Sequence, residues 1–233
     1  MLAFKMCLAS ASALASTCLF VSGCAIPLVP YRAVYEDPVN YVRLERDETV
    51  LPEWPPSAHA HPKAMRAEDV ARILGGISVK EHRIWLQKWT QGEAPLMPAF
   101  RPEELALLSQ QIAEAFAAAQ PDERVTFYLS QPQTSVKRVI TSGGVYLHGT
   151  ELHFILGNWQ VLYGIPTYGM IYDRRYPMRP TAAKGFDLFF DPSEATVAQR
   201  HSFLDTLLAN TKDEFVIDLT KLQAPAVAVT PLP

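Results

Sequence analysis

Three groups of residues in this chain have the types and spacing to do chemistry. The first is His59-Ala60-His61. Side chains at i and i+2 of an extended segment point to one side, so two imidazoles could share a metal ion, with Glu53 as a third ligand. The surrounding prolines offer no fourth ligand, and structural zinc wants four. A solvated linker is the reading that the composition favours. The second group is His148, Glu151 and His153, which a hairpin would set on one face, where a metal or acid–base role is sterically open. Its plain alternative is a polar sheet face with a cross-strand His–Glu pair, worth about 0.2–1 kcal/mol.

The third group is the stretch 163–184. It holds Tyr163, Tyr168, Tyr172, Tyr176, Arg174, Arg175, Arg179 and Lys184, with Asp173 as its one acid. Long stretches without secondary structure are uncommon inside a domain and are often functional. Tyr and Arg are also enriched where proteins bind partners. Tyr168, Tyr172, Arg174, Arg175, Tyr176 and Arg179 are therefore the candidate binding residues. They suit an anionic glycan, a lipid headgroup or a partner protein. The competing reading has the tyrosines covering the sheet and the arginines as surface charges. No GxSxG elbow, HExxH, phosphate loop or SxxK motif follows the first 24 residues. No residue is singled out as catalytic, and neither a cofactor nor a metal is expected.

These groups need elements to hold them. Val125, Phe127 and Leu129 alternate with polar residues, which is a strand period, and 136–141 reads as another strand. A two-residue turn at Gly149-Thr150 predicts four pairs: Leu147 with Leu152 and Val145 with Phe154 on an apolar face, His148 with Glu151 and Tyr146 with His153 on a polar one. A slip of one residue breaks all four. The stretches 41–45, 186–190 and 215–219 read as further strands. Val70, Ile73, Leu74 and Ile77 share a helical face, with Gly75-Gly76 as a left-handed stop. Pro102 to Ala119 is the strongest helix, with Leu105, Leu108, Ile112 and Phe116 in its stripe. Arg101 is a poor N-cap. Residues 77–89 fit either a strand or a helix capped by Ser78 and Glu81, and we favour the strand, then a loop. Asp191-Pro192-Ser193-Glu194 predicts a helix start, with Val197, Phe203, Leu204, Leu207 and Leu208 facing inward. The expected fold class is α+β, a mainly antiparallel sheet with two or three helices packed on it.

The first residues have another purpose. Lys5 is the one charge among residues 1–23, and 8–21 are apolar or small. About 14 such residues are too few for a spanning helix, which needs roughly 20, but they suit a secretory leader. The stretch closes on Val21-Ser22-Gly23-Cys24. This resembles the lipobox of bacterial lipoproteins. The resemblance covers residues 1–24 only. It implies cleavage before Cys24, diacylglycerol on its thiol, acylation of the new amine and hence a membrane-lipid partner. Ala25, where Asp commonly retains such proteins in the inner membrane of Gram-negative cells, points to the outer membrane facing the periplasm.

The organisation expected is a leader over 1–23, a lipidated tether over 24–62 with seven prolines, one α+β domain over 63–222, and a disordered tail over 223–233. Tyr31, Tyr35, Tyr41 and Trp54 are too many aromatics for a pure linker, so the tether should wrap along the domain. Cys7 and Cys18 leave with the leader and Cys24 is used by lipid, which excludes disulfides and thiol catalysis. The net charge of −3 gives no footprint for nucleic acid. A non-enzymatic envelope binding or assembly module is the leading expectation. The alternatives are a periplasmic hydrolase of envelope polymers, pairing Asp173, Asp187 or Asp191 with His148 or His153, and a small-ligand carrier.

Overall fold

The structure, a computed structural model, describes residues 29–51, 53, 57–134, 137–164, 174–181, 183–197 and 214–223. Its elements run β1 (Tyr31–Glu36), β2 (Tyr41–Arg46), α1 (Ala67–Gly75), β3 (Ile77–Glu81), α2 (Trp85–Gln91), β4 (Leu96–Pro98), α3 (Pro102–Ala118), β5 (Glu123–Thr134), β6 (Lys137–His148), β7 (Glu151–Gly164), β8 (Phe186–Phe190) and β9 (Glu214–Asp218). The strands form a six-stranded antiparallel sheet, in the order β1-β2-β5-β6-β7-β9, and a three-stranded one, β4-β3-β8. The class is α+β, with helices on the sheet.

The long hairpin organises the large sheet. Leu147 pairs with Leu152, Val145 with Phe154, Tyr146 with His153 and His148 with Glu151, in the register the turn predicts. Gly149 takes φ +58, which glycine adopts without a steric penalty. The apolar face of this hairpin joins Val42, Leu44, Phe127 and Ile217 from neighbouring strands in one core. Phe127 and Phe154 stack, and Phe100 meets both edge-on. From the other side α1 contributes Val70, Ile73 and Leu74, and α3 contributes Leu108, Ile112 and Phe116. The Trp159 indole N–H donates to the Ala99 carbonyl at 3.1 Å, which ties β7 to the chain just after β4.

Several local expectations are corrected. Residues 31–36, proline-flanked and read as tether, supply an edge strand of the large sheet, paired with the strand expected at 41–45, β2. The prolines sit between elements rather than within them: Pro30 precedes β1, and Pro38 lies in the β1–β2 turn. There the Asp37 carboxylate accepts the N–H groups of Val39 and Asn40 and the Tyr35 hydroxyl. Burial pushes the Asp37 carboxyl up, but these bonds outweigh it and lower its pKa to about 2.

Gly76 ends α1 in a right-handed conformation, φ −76. Its lack of a side chain matters for space instead, since a Cβ there would lie 2.6 Å from the Asp191 carbonyl oxygen and 2.7 Å from the Phe190 ring. Residues 77–91 are both strand and helix, β3 then α2. The Ile84 N–H, rather than a Ser78 cap, is satisfied by the Gln87 side chain at 3.1 Å. At α3 the Glu104 carboxylate accepts the Arg101 N–H at 2.9 Å, so the acid one turn in supplies what the Arg101 side chain cannot. After Asp191 the described residues form a 3₁₀ turn over Ser193–Ala195, and Thr196 then bridges to Ile217. Phe203, Leu204, Leu207, Leu208 and the expected tail beyond Gln223 lie outside the described residues.

Candidate functional site

The outer face of the large sheet, opposite the helices, gathers most of the chemistry-bearing side chains. His59 and His61 are neither solvated nor placed on a metal: both are buried. The segment carrying them runs beside the end of β6, where the Ala60 N–H donates to the Leu147 carbonyl at 2.7 Å. His59 Nε2 lies 3.2 Å from Asp47 Oδ2, and Arg124 Nη1 lies 3.1 Å from Oδ1 of the same carboxylate. Burial alone would raise the Asp47 pKa. The bond to His59, the Arg124 charge and the Thr49 hydrogen bonds reverse this and hold it well below the usual range. The His61 ring stacks on Phe116, and its Nε2 accepts the Leu147 N–H at 3.4 Å. Burial first, then the neighbouring His59, lowers the His61 pKa to about 4.

An Asp–His pair is the geometry of a base with its orienting carboxylate. Here the side chains of Asp47 and His59 are 1% and 4% exposed, and the His59 ring lies 4.4 Å from that of Tyr146. Among the described residues, Asp47 reaches a cavity of about 200 Å³, too small to admit a polymer. Among the described residues no three His, Cys, Asp or Glu side chains are placed to hold a metal.

The hairpin tip brings Tyr146 and His153 into a stack at 4.7 Å. Their partner is Glu214 on β9, which the sequence reading missed. The Tyr146 hydroxyl donates to Glu214 Oε1 at 2.9 Å, and His153 Nδ1 lies 3.3 Å from Oε2. Burial, then the Glu214 charge, pushes the Tyr146 hydroxyl far above the ordinary tyrosine range. Glu151 stands 3.8 Å from His153, a longer and more exposed contact. His148 meets His153 ring to ring at 6.1 Å. Asp187, a candidate partner for these histidines, pairs instead with His82 at 2.9 Å.

Tyr168 and Tyr172 lie outside the described residues, as does Asp173. The described part of that stretch, 174–181, is strapped across the outer face. The Tyr41 hydroxyl donates to the Arg174 carbonyl, and the Arg174 guanidinium lies 5.3 Å from the Tyr41 and Tyr128 ring centroids. Ser142 Oγ donates to the Pro177 carbonyl at 2.7 Å, and Asn158 Nδ2 to that of Arg179 at 2.9 Å. Gly157 lets the strap approach: a Cβ there would lie 2.7 Å from the Pro177 and Met178 carbonyl oxygens. The side chains divide accordingly. Arg174 is a clamp over two tyrosines. Arg175 and Arg179 are exposed, their guanidiniums 5.8 and 4.6 Å from the Tyr176 ring centroid. Beside them a cavity of about 200 Å³ is lined by Tyr176, Met178 and Arg179 from the strap and by Glu45, Asp47 and Arg124 from the sheet.

A second surface escaped the sequence reading altogether. None of the residues of α2 is buried, and Trp85 and Trp89 are 76% and 81% exposed. Ile84 and Leu86 beside them, Leu96 and Met97 on β4 and Phe189 on β8 are exposed as well. The signal was available in two tryptophans one helical turn apart, with no acid between them. A groove of about 410 Å³ runs along the helix, bordered by Gln87, Gln91, Trp159 and Lys184.

The fold and these surfaces define an α+β domain of two antiparallel sheets with a strapped outer face. No family model matches the chain, and no curated protein or solved structure matches it.

Proposed function

We propose that this chain is a membrane-anchored envelope lipoprotein whose folded domain is a non-enzymatic binding module for an anionic partner, an acidic protein surface or an anionic glycan. The strapped segment carries the binding part of this reading. Its backbone is held to the sheet through Arg174, Pro177 and Arg179, while the exposed Arg175 and Arg179 hold their guanidiniums over the Tyr176 ring. A preordered cationic and aromatic surface loses little conformational freedom on binding. Guanidiniums also give charge-assisted, bidentate bonds to carboxylate, sulfate or phosphate oxygens. The lipid part rests on Val21-Ser22-Gly23-Cys24. Acylation at Cys24 would hold the module at the membrane, facing the periplasm in a Gram-negative cell.

The test uses the whole chain in bacterial cells. Labelled palmitate should enter the wild type and not Cys24→Ser. In-cell crosslinks of the wild type should be lost in the double variant Arg175→Ser and Arg179→Ser, together with retention on a sulfated polysaccharide column. Unchanged crosslinks and unchanged retention would refute the binding surface. The hydrolase alternative expected Asp173, Asp187 or Asp191 beside His148 or His153. Asp187 pairs with His82 instead, and the Asp–His pair that does form, Asp47 with His59, is buried, which argues against access by a polymer.

A further inference from the structure

We propose that α2 and the adjoining β4 edge form a second membrane contact, docking the domain on a phospholipid headgroup layer. The inference rests on the lipoprotein reading for where the membrane is, and on the structure for which face meets it. The helix is inverted for a surface helix. A helix on a globular domain turns its apolar side inward. Here Trp85 and Trp89, one turn apart, stand with Leu86 on one side and are exposed. Gln87 and Gln91, one turn apart on the other side, border the groove against the domain.

The helix is nonetheless held in place. Arg83 Nη1 donates to the carbonyls of Gln91 and Gly92 at 3.1 and 3.0 Å, which closes the helical segment on itself, and Glu93 just beyond it pairs with Lys80 of β3 at 3.2 Å. Exposed aromatic and aliphatic side chains on one face of a helix mark a site that something covers.

The residue chemistry selects the occupant. Tryptophan is enriched at the membrane–water interface, where the ring sits at headgroup level and the indole N–H stays hydrated. Lys88 is the sole charged residue on α2 and pairs with Glu93, just beyond the helix, at 3.3 Å in an exposed contact, so α2 brings no net charge of either sign to the headgroups beyond that screened pair. A helix with aromatic and aliphatic residues on one side and glutamines on the other matches an interfacial helix in its apolar face.

Tether length adds a second argument. From Cys24 to the first residue of β1, Tyr31, a fully extended chain reaches at most about 25 Å. A lipidated Cys24 therefore keeps the domain against the bilayer, and such tethering raises the effective concentration of a weak contact to about the millimolar range. The two attachments also lie at opposite ends of α3. Arg32 of β1 donates to the Ala118 carbonyl at its C-terminus, whereas α2 leads through β4 into its N-terminus. Contact at both ends would lay α3 along the membrane and fix the orientation of the strapped face.

The experiment reads tryptophan fluorescence in vesicles of phosphatidylethanolamine and phosphatidylglycerol carrying brominated acyl chains, after palmitate labelling of the same preparation. The full-length lipoprotein is reconstituted as wild type and as the double variant Trp85→Ser and Trp89→Ser. Both side chains are exposed, so melting temperatures should agree. Docking predicts strong quenching of the wild type and loss of most of it in the variant. Labelled protein with equal fractional quenching in both would overturn the docking face and leave the lipoprotein reading intact. Unlabelled protein would overturn the lipoprotein reading. The face would then be decided by the same comparison on free protein added to vesicles, where equal quenching again overturns it. A blue-shifted emission that needs no lipid, accompanied by dimers on sedimentation, would assign the face to a second copy and likewise overturn the proposal.

Discussion

His61 and Leu147 are 86 positions apart, and the ring of one completes the strand edge of the other. The pairing of β5 with β6 ends at Val125 opposite Val145. Beyond it the Leu147 carbonyl takes the Ala60 N–H, and its N–H is accepted by His61 Nε2. An accepting Nε2 carries no proton, so this contact requires the neutral imidazole. The sign of the pH dependence follows. With a folded pKa of about 4, below the ordinary 6.5, the unfolded chain binds the extra proton between those values. The stability is fully present above pH 6.5 and is lost as the pH falls toward 4, by at most about 1.4 kcal/mol per pH unit. His61→Phe keeps the stack on Phe116 but orphans the Leu147 N–H, which costs about 1–3 kcal/mol at neutral pH. Melting temperatures measured from pH 7 to pH 4.5 should fall more steeply for the wild type than for the variant. Parallel curves would show that His61 does not titrate in this way.

The hairpin register separates two neighbouring positions. Leu152 is buried against Leu147 on one side and Ile217 on the other. Leu152→Asp places an unpaired charge there and should cost several kcal/mol, on the order of 3–5. Glu151→Lys, at the exposed tip, should cost less than about 1 kcal/mol. Denaturant midpoints for the two variants decide the matter, and equal midpoints would contradict the register.

Arginines that look alike in the sequence should behave differently. Arg174→Ala removes the guanidinium that lies over Tyr41 and Tyr128 and should destabilise by about 1–2 kcal/mol. The exposed pair Arg175→Ser and Arg179→Ser should change stability by less than about 0.5 kcal/mol while abolishing retention on the anionic column. Thermal melts and column binding on both variants give the two readings.

Gly157→Ala tests the strap itself. Its new methyl would meet the Pro177 and Met178 backbone at 2.7 Å, and backbone cannot swing aside as a flexible side chain can. The strap should lift, and proteases should cut within 174–181 faster than in the wild type. Gly149→Ala, at a turn with open space around it, should cost about 1–2 kcal/mol through its positive φ alone and leave the strap protected.

The sequence by itself determined whatever depends on short spacing. The Gly149-Thr150 turn and the alternation around it set the register of β6 on β7, because a one-residue slip would turn Leu147 and Leu152 to the polar side. The apolar stripe of α3 was legible for the same reason. Tertiary structure alone decided which distant polar groups meet. Nothing local to His59 announces Asp47 and Arg124, and nothing local to His153 announces Glu214, because those pairings arise when separate strands are laid side by side. The prolines of 27–62 read as a tether because composition averages over turns, yet Pro30 and Pro38 bracket a strand, β1. Arg174 and Arg175 are adjacent and identical in type. One clamps two tyrosine rings and the other is exposed, since an irregular backbone has no period from which side-chain direction can be read.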